Sequence, residues 1–332
     1  MQRDAAADTG PVFASGNGGA TVSEIAALRS DPRFKQAVRA SAAGLIEMYQ
    51  RHRIMNRVLN DRGHVVIGWM ALYLHFHGGP GESPGLTVGR VKALCAETGV
   101  CSPGRAAATL ALMRFARYLA PAATAADRRL RILVPTERMI DAHRERWAAL
   151  LDAIAPLVPH AAEARAKLDE TEFVGAFVRH AGAMFQAGFR VDFHTPELGP
   201  YLERSAGLLV LCNLYLASKA TPGRPVTISI SDTARRFLVS RAHVRSLIEA
   251  AAGDRFVEHR SGGLNNLVVL PRLVDGLETL SGGVFVFLSL VSRAALGEMA
   301  RRERNAVSGP ALFHPASQAV AATRGGAERP AG

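Results

Sequence analysis

The sequence predicts a mainly α fold with small β-wings: tandem helix-turn-helix modules joined by helices into an internal pseudo-dimer. Three observations carry this. Residues 226–270 read in order as a β-prone stretch, a helix, a tight turn, a second helix and a hairpin. The same order occurs upstream at a separation of roughly 140 residues, too long for a solenoid period and suited to a duplicated domain. The segments flanking both copies carry apolar residues at helical spacing.

Residues 1–22 and 304–332 are poor in large apolar side chains and predict disordered tails, which leaves 23–158 as a first unit and 159–303 as a second. In the first unit, 34–60 and Gly68–Phe76 read as helices, followed by a Gly/Pro-rich loop and the β-prone Leu86-Thr87-Val88. Arg90–Thr98 is the next helix, and Ser102-Pro103 starts another, with a capping hydroxyl followed by proline at the first helical position. Ala106, Leu110 and Met113 face inward there. A wing follows, from Tyr118-Leu119 through a tip at 121–127 to Arg128–Val134.

Glu137–Leu157 and Thr171–Gln186 link the units as helices. In the second unit Gly207–Tyr215 repeats Gly68–Phe76, and Val226-Thr227-Ile228 repeats Leu86-Thr87-Val88. Ser231 or Asp232 is the expected cap of Thr233–Leu238, and Ser240 the cap of the helix after it. Val244, Leu247, Ile248 and Ala251 share one face at i, i+3, i+4, i+7 and pack inward. Phe256–Arg260 and Leu267–Leu270 are the wing strands, and 272–300 is helical as 137–157 is.

The 332 residues are 48% hydrophobic and 21% charged, a composition that supplies a core. A formal net charge of +11 favours a polyanionic partner. The inference is discounted by residue usage, since Lys35, Lys92, Lys167 and Lys219 are the only lysines and arginine supplies the rest. Cys95, Cys101 and Cys212 are too few for a disulfide scaffold. The N-terminus has no apolar signal segment, and the run Val284–Val291 falls well short of the ~20 residues of a membrane span. A cytoplasmic protein without a membrane partner is expected.

The segment Leu238-Val239-Ser240-Arg241-Ala242-His243-Val244-Arg245-Ser246-Leu247 resembles the turn and recognition helix of helix-turn-helix regulators. With the β-stretch, wing and flanking helices, present twice, the chain resembles the MarR-like winged-helix transcription regulators. That resemblance implies a dimer-like arrangement, here formed by two units of one chain, with a homodimer and a small-molecule effector as further partners. The upstream unit departs from the pattern, with Pro103, Gly104 and several alanines where base-reading side chains are expected.

Double-stranded DNA is the expected partner. Arg241 is the candidate for a base edge, because a guanidinium reads guanine O6 and N7 bidentately. Ser240, His243 and Arg245 share its groove face, and His259 and Arg260 on the wing suit the backbone or minor groove. Ser102, Arg105, Arg114 and Arg117 are the upstream set, with Arg128, Arg129 and Arg131 on its wing. Two recognition helices held about one helical turn apart (~34 Å) would read adjacent major-groove faces.

Other chemistries have weaker footing. His64, His75 and His77 lack ligand spacing, so no metal site is expected, and no cofactor. Gly78-Gly-Pro-Gly81 lacks the lysine and hydroxyl of a phosphate-binding loop, and no catalytic constellation is present, so an enzyme is not expected. Cys95 and Cys101 read as small buried hydrophobes, with a redox-sensing thiol as the other reading. Trp69, Tyr73, Trp147, Phe173, Phe177 and Phe185 read as core, or as the lining of an effector pocket. The sequence thus points to a DNA-binding transcription regulator. A plasmid-type replication initiator with tandem winged helices and a winged-helix protein-interaction scaffold are the alternatives.

Overall fold

The computed structural model describes residues 20–51, 61–77, 85–122, 131–219, 223–260 and 266–307. Over the described residues the chain is mainly helical, with two small antiparallel sheets. Helices α1 (Val22–Ser30), α2 (Phe34–Arg51), α3 (Arg62–His77), α4 (Val88–Glu97) and α5 (Pro103–Phe115) lead to strands β1 (Leu119–Pro121) and β2 (Leu133–Pro135). Helices α6 (Glu137–Ile154), α7 (Pro159–Ala166), α8 (Thr171–Gln186), the one-turn α9 (Gly199–Leu202) and α10 (Gly207–Ala217) follow. Then come β3 (Pro225–Thr227), α11 (Ile230–Arg236), α12 (Arg241–Gly253), β4 (Val257–His259), β5 (Asn266–Val269) and α13 (Pro271–Val307).

Both small sheets are assembled alike. β1 pairs antiparallel with β2, and Leu86 adds an antiparallel bridge to Leu133. β5 lies between β4 and β3, with Val226 opposite Leu267. The preceding helices end alike too. After α5, Arg117 takes a left-handed φ of 59° and the Tyr118 amide donates to the Met113 carbonyl at 2.8 Å. After α12, Arg255 takes a φ of 60° and the Phe256 amide donates to Ala251 at 2.8 Å. A 6→1 bond around a left-handed residue satisfies carbonyls the helix end would leave orphaned. The aromatic ring just beyond it, Tyr118 or Phe256, is buried in each case.

Between these ends, the long helices cross from one half to the other. α2 packs on α6 of its own half and on α10 of the second. α8 packs on α13 of its own half and on α3 of the first. Each pairing in one half therefore has its counterpart in the other. One continuous apolar cluster results, running from Phe34 to Met299. At its centre Trp147 meets Trp69 edge-to-face at 5.3 Å and Phe177 at a tilt at 5.3 Å, and Trp69 meets Phe287 at 6.3 Å.

Three expectations change. Residues 20–22 and 304–307, assigned to tails, belong to ordered structure, because the Thr21 hydroxyl and the Glu24 carboxylate cap α1 reciprocally and α13 continues to Val307. The remaining tail residues lie outside the described ones. The cap of α11 is Ser229, whose hydroxyl accepts from the Asp232 amide at 3.1 Å, and Ser231 and Asp232 lie inside the helix. Starting there buries Ile230, which a later start would have left in the turn. Finally, the apolar run at 284–291 is part of a 37-residue helix. By length and hydropathy α13 could cross a membrane, yet half of its most apolar window is buried against other helices of the chain. Gly283 sits where α13 passes the Val191 carbonyl, too close for a side chain, so this glycine serves packing and does not end the helix.

Candidate nucleic-acid interface

Helix α12 begins at Ser240, whose hydroxyl accepts from the His243 amide at 3.0 Å. Val244, Leu247, Ile248 and Ala251 are buried, which turns Arg241, Ala242, Arg245 and Glu249 to solvent. Arg241 and Arg245 are exposed and have no carboxylate partner among the described residues. His243 is held differently. It is half-buried, and its Nε2–H donates to the Ser205 carbonyl at 2.8 Å, so its ring serves the fold before any ligand. Ser246 accepts from Arg204 at 2.8 Å, which adds a guanidinium beside α12 that no motif signalled. His259 and Arg260 are exposed at the end of β4, where the Arg260 amide closes the hairpin onto Asn266. The rest of the tip, 261–265, lies outside the described residues.

The Ser240 cap has a measurable share in this geometry. Ser240→Ala is expected to cost about 1 kcal/mol, read as a lower urea midpoint with unchanged slope. An unchanged midpoint would mean that the hydroxyl does not hold the start of α12.

Helix α5 repeats the start, with Ser102 accepting from the Arg105 amide at 3.2 Å and Pro103 next in line. Ala106, Leu110 and Met113 are buried as expected. Its outward face is different. Counting from the two caps, Pro103 stands where Arg241 does and Ala107 where Arg245 does. Arg105, expected to grip phosphate, is half-buried and ion-paired with Asp61 at 2.7 Å. Burial raises the Asp61 carboxyl, but hydrogen bonds from His64 outweigh it and, with the charge of Arg105, hold it below the usual carboxylate range. Arg114, Arg117 and Arg131 are exposed without carboxylate partners among the described residues. Arg128 and Arg129 lie outside the described residues. Gly104, Ala108, Ala111 and Phe115 form one exposed stripe, with Phe115 88% exposed and Leu112 41% beside it.

Cys95 is buried against Met70, its sulfur 3.5 Å from the thioether, and burial with the nearby Cys101 pushes its thiol up to about 12. Burial does the same to Cys212. Neither is a thiolate at neutral pH, which speaks against Cys95 as a redox-sensing thiol; Cys101 is half-buried. His64 donates to Asp61, and His77 stacks on Tyr73. Of the six aromatics, Trp147, Phe173 and Phe177 are fully buried core. Trp69, Tyr73 and Phe185 line a cavity of about 720 Å³. Comparison with known protein families, characterised proteins and solved structures gives no match to this chain.

Proposed function

We propose that the chain is a cytoplasmic transcription regulator of MarR-like architecture that binds duplex DNA through α12 and the β4–β5 hairpin. The observation that carries this reading is the pair Arg241 and Arg245. Both stand exposed and unpaired on the opening turns of a Ser240-capped helix, beside a hairpin that carries His259 and Arg260. A helix N-terminus presenting free guanidiniums suits base edges and phosphates together. The exchanged helix pairings, α2 on α10 and α8 on α3, support two winged-helix units held as a pseudo-dimer within one chain. A replication initiator would use the same face, and it separates from a regulator by whether selected sites lie in promoters or in repeat arrays.

Mobility shift on duplex DNA across a salt series tests the reading. About four phosphate-facing cations would give a log–log slope near −4. Arg241→Ala is expected to lose about 1–3 kcal/mol on a selected site and little on random duplex. A flat salt response ends the DNA reading. Equal losses on both duplexes would leave DNA binding in place but remove Arg241 from base readout.

One observation favours a second reading for the upstream unit. The exposed stripe of α5 is apolar, ending in Leu112 and Phe115, where α12 is cationic. An apolar outward face suits a protein partner. Phe115→Ser that leaves the salt slope intact but abolishes self-association or partner capture would assign α5 to protein contact.

A further inference from the structure

The cavity of about 720 Å³ lies between α2, α3, α6, α8, α10 and α13, at the crossing of the exchanged helices. A second chamber of about 190 Å³ adjoins it, and the two share Leu45, Leu150, Leu208, Leu280 and Val284. Arg146 lines both, so its side chain stands where they meet. The surroundings are largely aliphatic and aromatic.

Every other cation on these walls is engaged. Arg62 is ion-paired with Asp192 and Glu203. Arg190 donates to the Phe185 and Phe189 carbonyls and lies 3.8 Å over the Phe185 ring. Arg204 donates to Ser246. Asp61, the nearest acid on the same walls by sequence to Arg62, is taken by His64 and Arg105. Among the described charged residues of these walls, Arg146 alone has neither a hydrogen bond nor an ion pair. Tyr215, on the wall of the smaller chamber, has a buried hydroxyl with no partner among the described residues.

Arg146 is half-buried, and an unpaired guanidinium against largely apolar walls is unfavourable; one anion of matching geometry would relieve it. We propose that the joined chambers bind an apolar monocarboxylate, its carboxylate on Arg146 and its hydrocarbon body along the Trp69–Tyr73–Phe185 wall. A single negative charge balances the one unpaired cation, whereas a phosphomonoester dianion would bring a surplus charge into the same surroundings. Burial brings the Arg146 guanidinium down to about 10, which leaves it charged at neutral pH and able to hold a carboxylate. The volume falls within the range of small-molecule sites, about 300–1,000 Å³. The site stands apart from the DNA-binding reading and is tested without DNA.

The chain has two tryptophans, Trp69 on the cavity wall and Trp147 edge-to-face behind it, so intrinsic fluorescence reports occupancy. Decanoate, decanol and decyltrimethylammonium, equal in chain length and in turn anionic, neutral and cationic, are titrated into the full chain below their micelle concentrations. Decanoate is expected to bind about tenfold or more tighter than decanol, and the ammonium not at all. Arg146→Met should abolish the preference for decanoate, keep the affinity for decanol and raise the melting temperature, since it removes an uncompensated charge. Arg146→Lys should keep part of the preference. Equal binding of decanoate and decanol to the unaltered chain overturns the proposal without any variant, as does the absence of binding by either. Retention of the preference in Arg146→Met overturns it too.

Discussion

Trp147→Ala is expected to destabilise the chain by about 3–5 kcal/mol, lowering the urea midpoint of the whole molecule in one transition. The ring is fully buried, and it meets Trp69 edge-to-face and Phe177 and the His143 imidazole at a tilt. Its indole nitrogen has no hydrogen-bond partner among the described residues, so the loss is of packing and not of a polar contact. Aromatic pairs contribute about 0.5–1.5 kcal/mol each beyond area burial. Against a net stability of about 5–15 kcal/mol, the substitution removes a large share. Phe115→Ala, at an exposed position, is the control and should stay within about 0.5 kcal/mol. The shape of the transition matters as much as its midpoint. Trp69 and Trp147 belong to the first half and Phe177 and Phe287 to the second, so the aromatic cluster ties the halves together. Two separate transitions, with only one displaced, would show that the halves unfold independently and that the continuous core is not a cooperative unit.

What the sequence could show, and what it could not, divides along the range of the interaction. The caps of α5 and α12 are local, a hydroxyl and an amide three residues on, so Ser102 and Ser240 were readable in advance. The inward faces of both helices follow from spacing alone. The β-prone character of 226–228 was readable too, while its pairing with β5 comes from the fold. The cap of α11 was not, because Ser229, Ser231 and Asp232 are all competent and only the burial of Ile230 selects among them. The exchange of α2 and α8 between halves is beyond any periodicity argument, because an apolar face does not name its partner. Arg105 illustrates the same limit. Its place on the helix suggests phosphate, and only the fold brings Asp61, 44 positions earlier, to within 2.7 Å. Arg146 reads as one arginine among many until the carboxylates on the same walls, Asp61 and Asp192, are seen to be taken by other cations.

His143 makes stability depend on pH in a defined direction. The imidazole is 2% exposed, its Nδ1–H donates to the Met139 carbonyl at 2.9 Å, and Arg146 lies one turn further along α6. Burial first, and the charge of Arg146 second, lower its pKa from 6.5 to about 4. In the unfolded chain it regains its ordinary value. Between these two values the unfolded chain binds the additional proton, so stability must fall as pH drops from about 6.5 to about 4. The full contribution is on the order of 3 kcal/mol, present above the unfolded value and gone below the folded one. Carboxylates that the fold holds low, such as Glu298 against Arg179, lose their stabilisation lower in the scale and do not obscure the upper part of this window. His75 and His180, both lowered by burial, supply a remaining slope. His143→Gln keeps a donor for the Met139 carbonyl but cannot titrate. Urea unfolding at about pH 7, 6 and 5 should therefore show the variant losing distinctly less stability than the unaltered chain. Parallel losses would mean that His143 does not stay neutral in the folded chain, and that the interior around Arg146 admits a second positive charge.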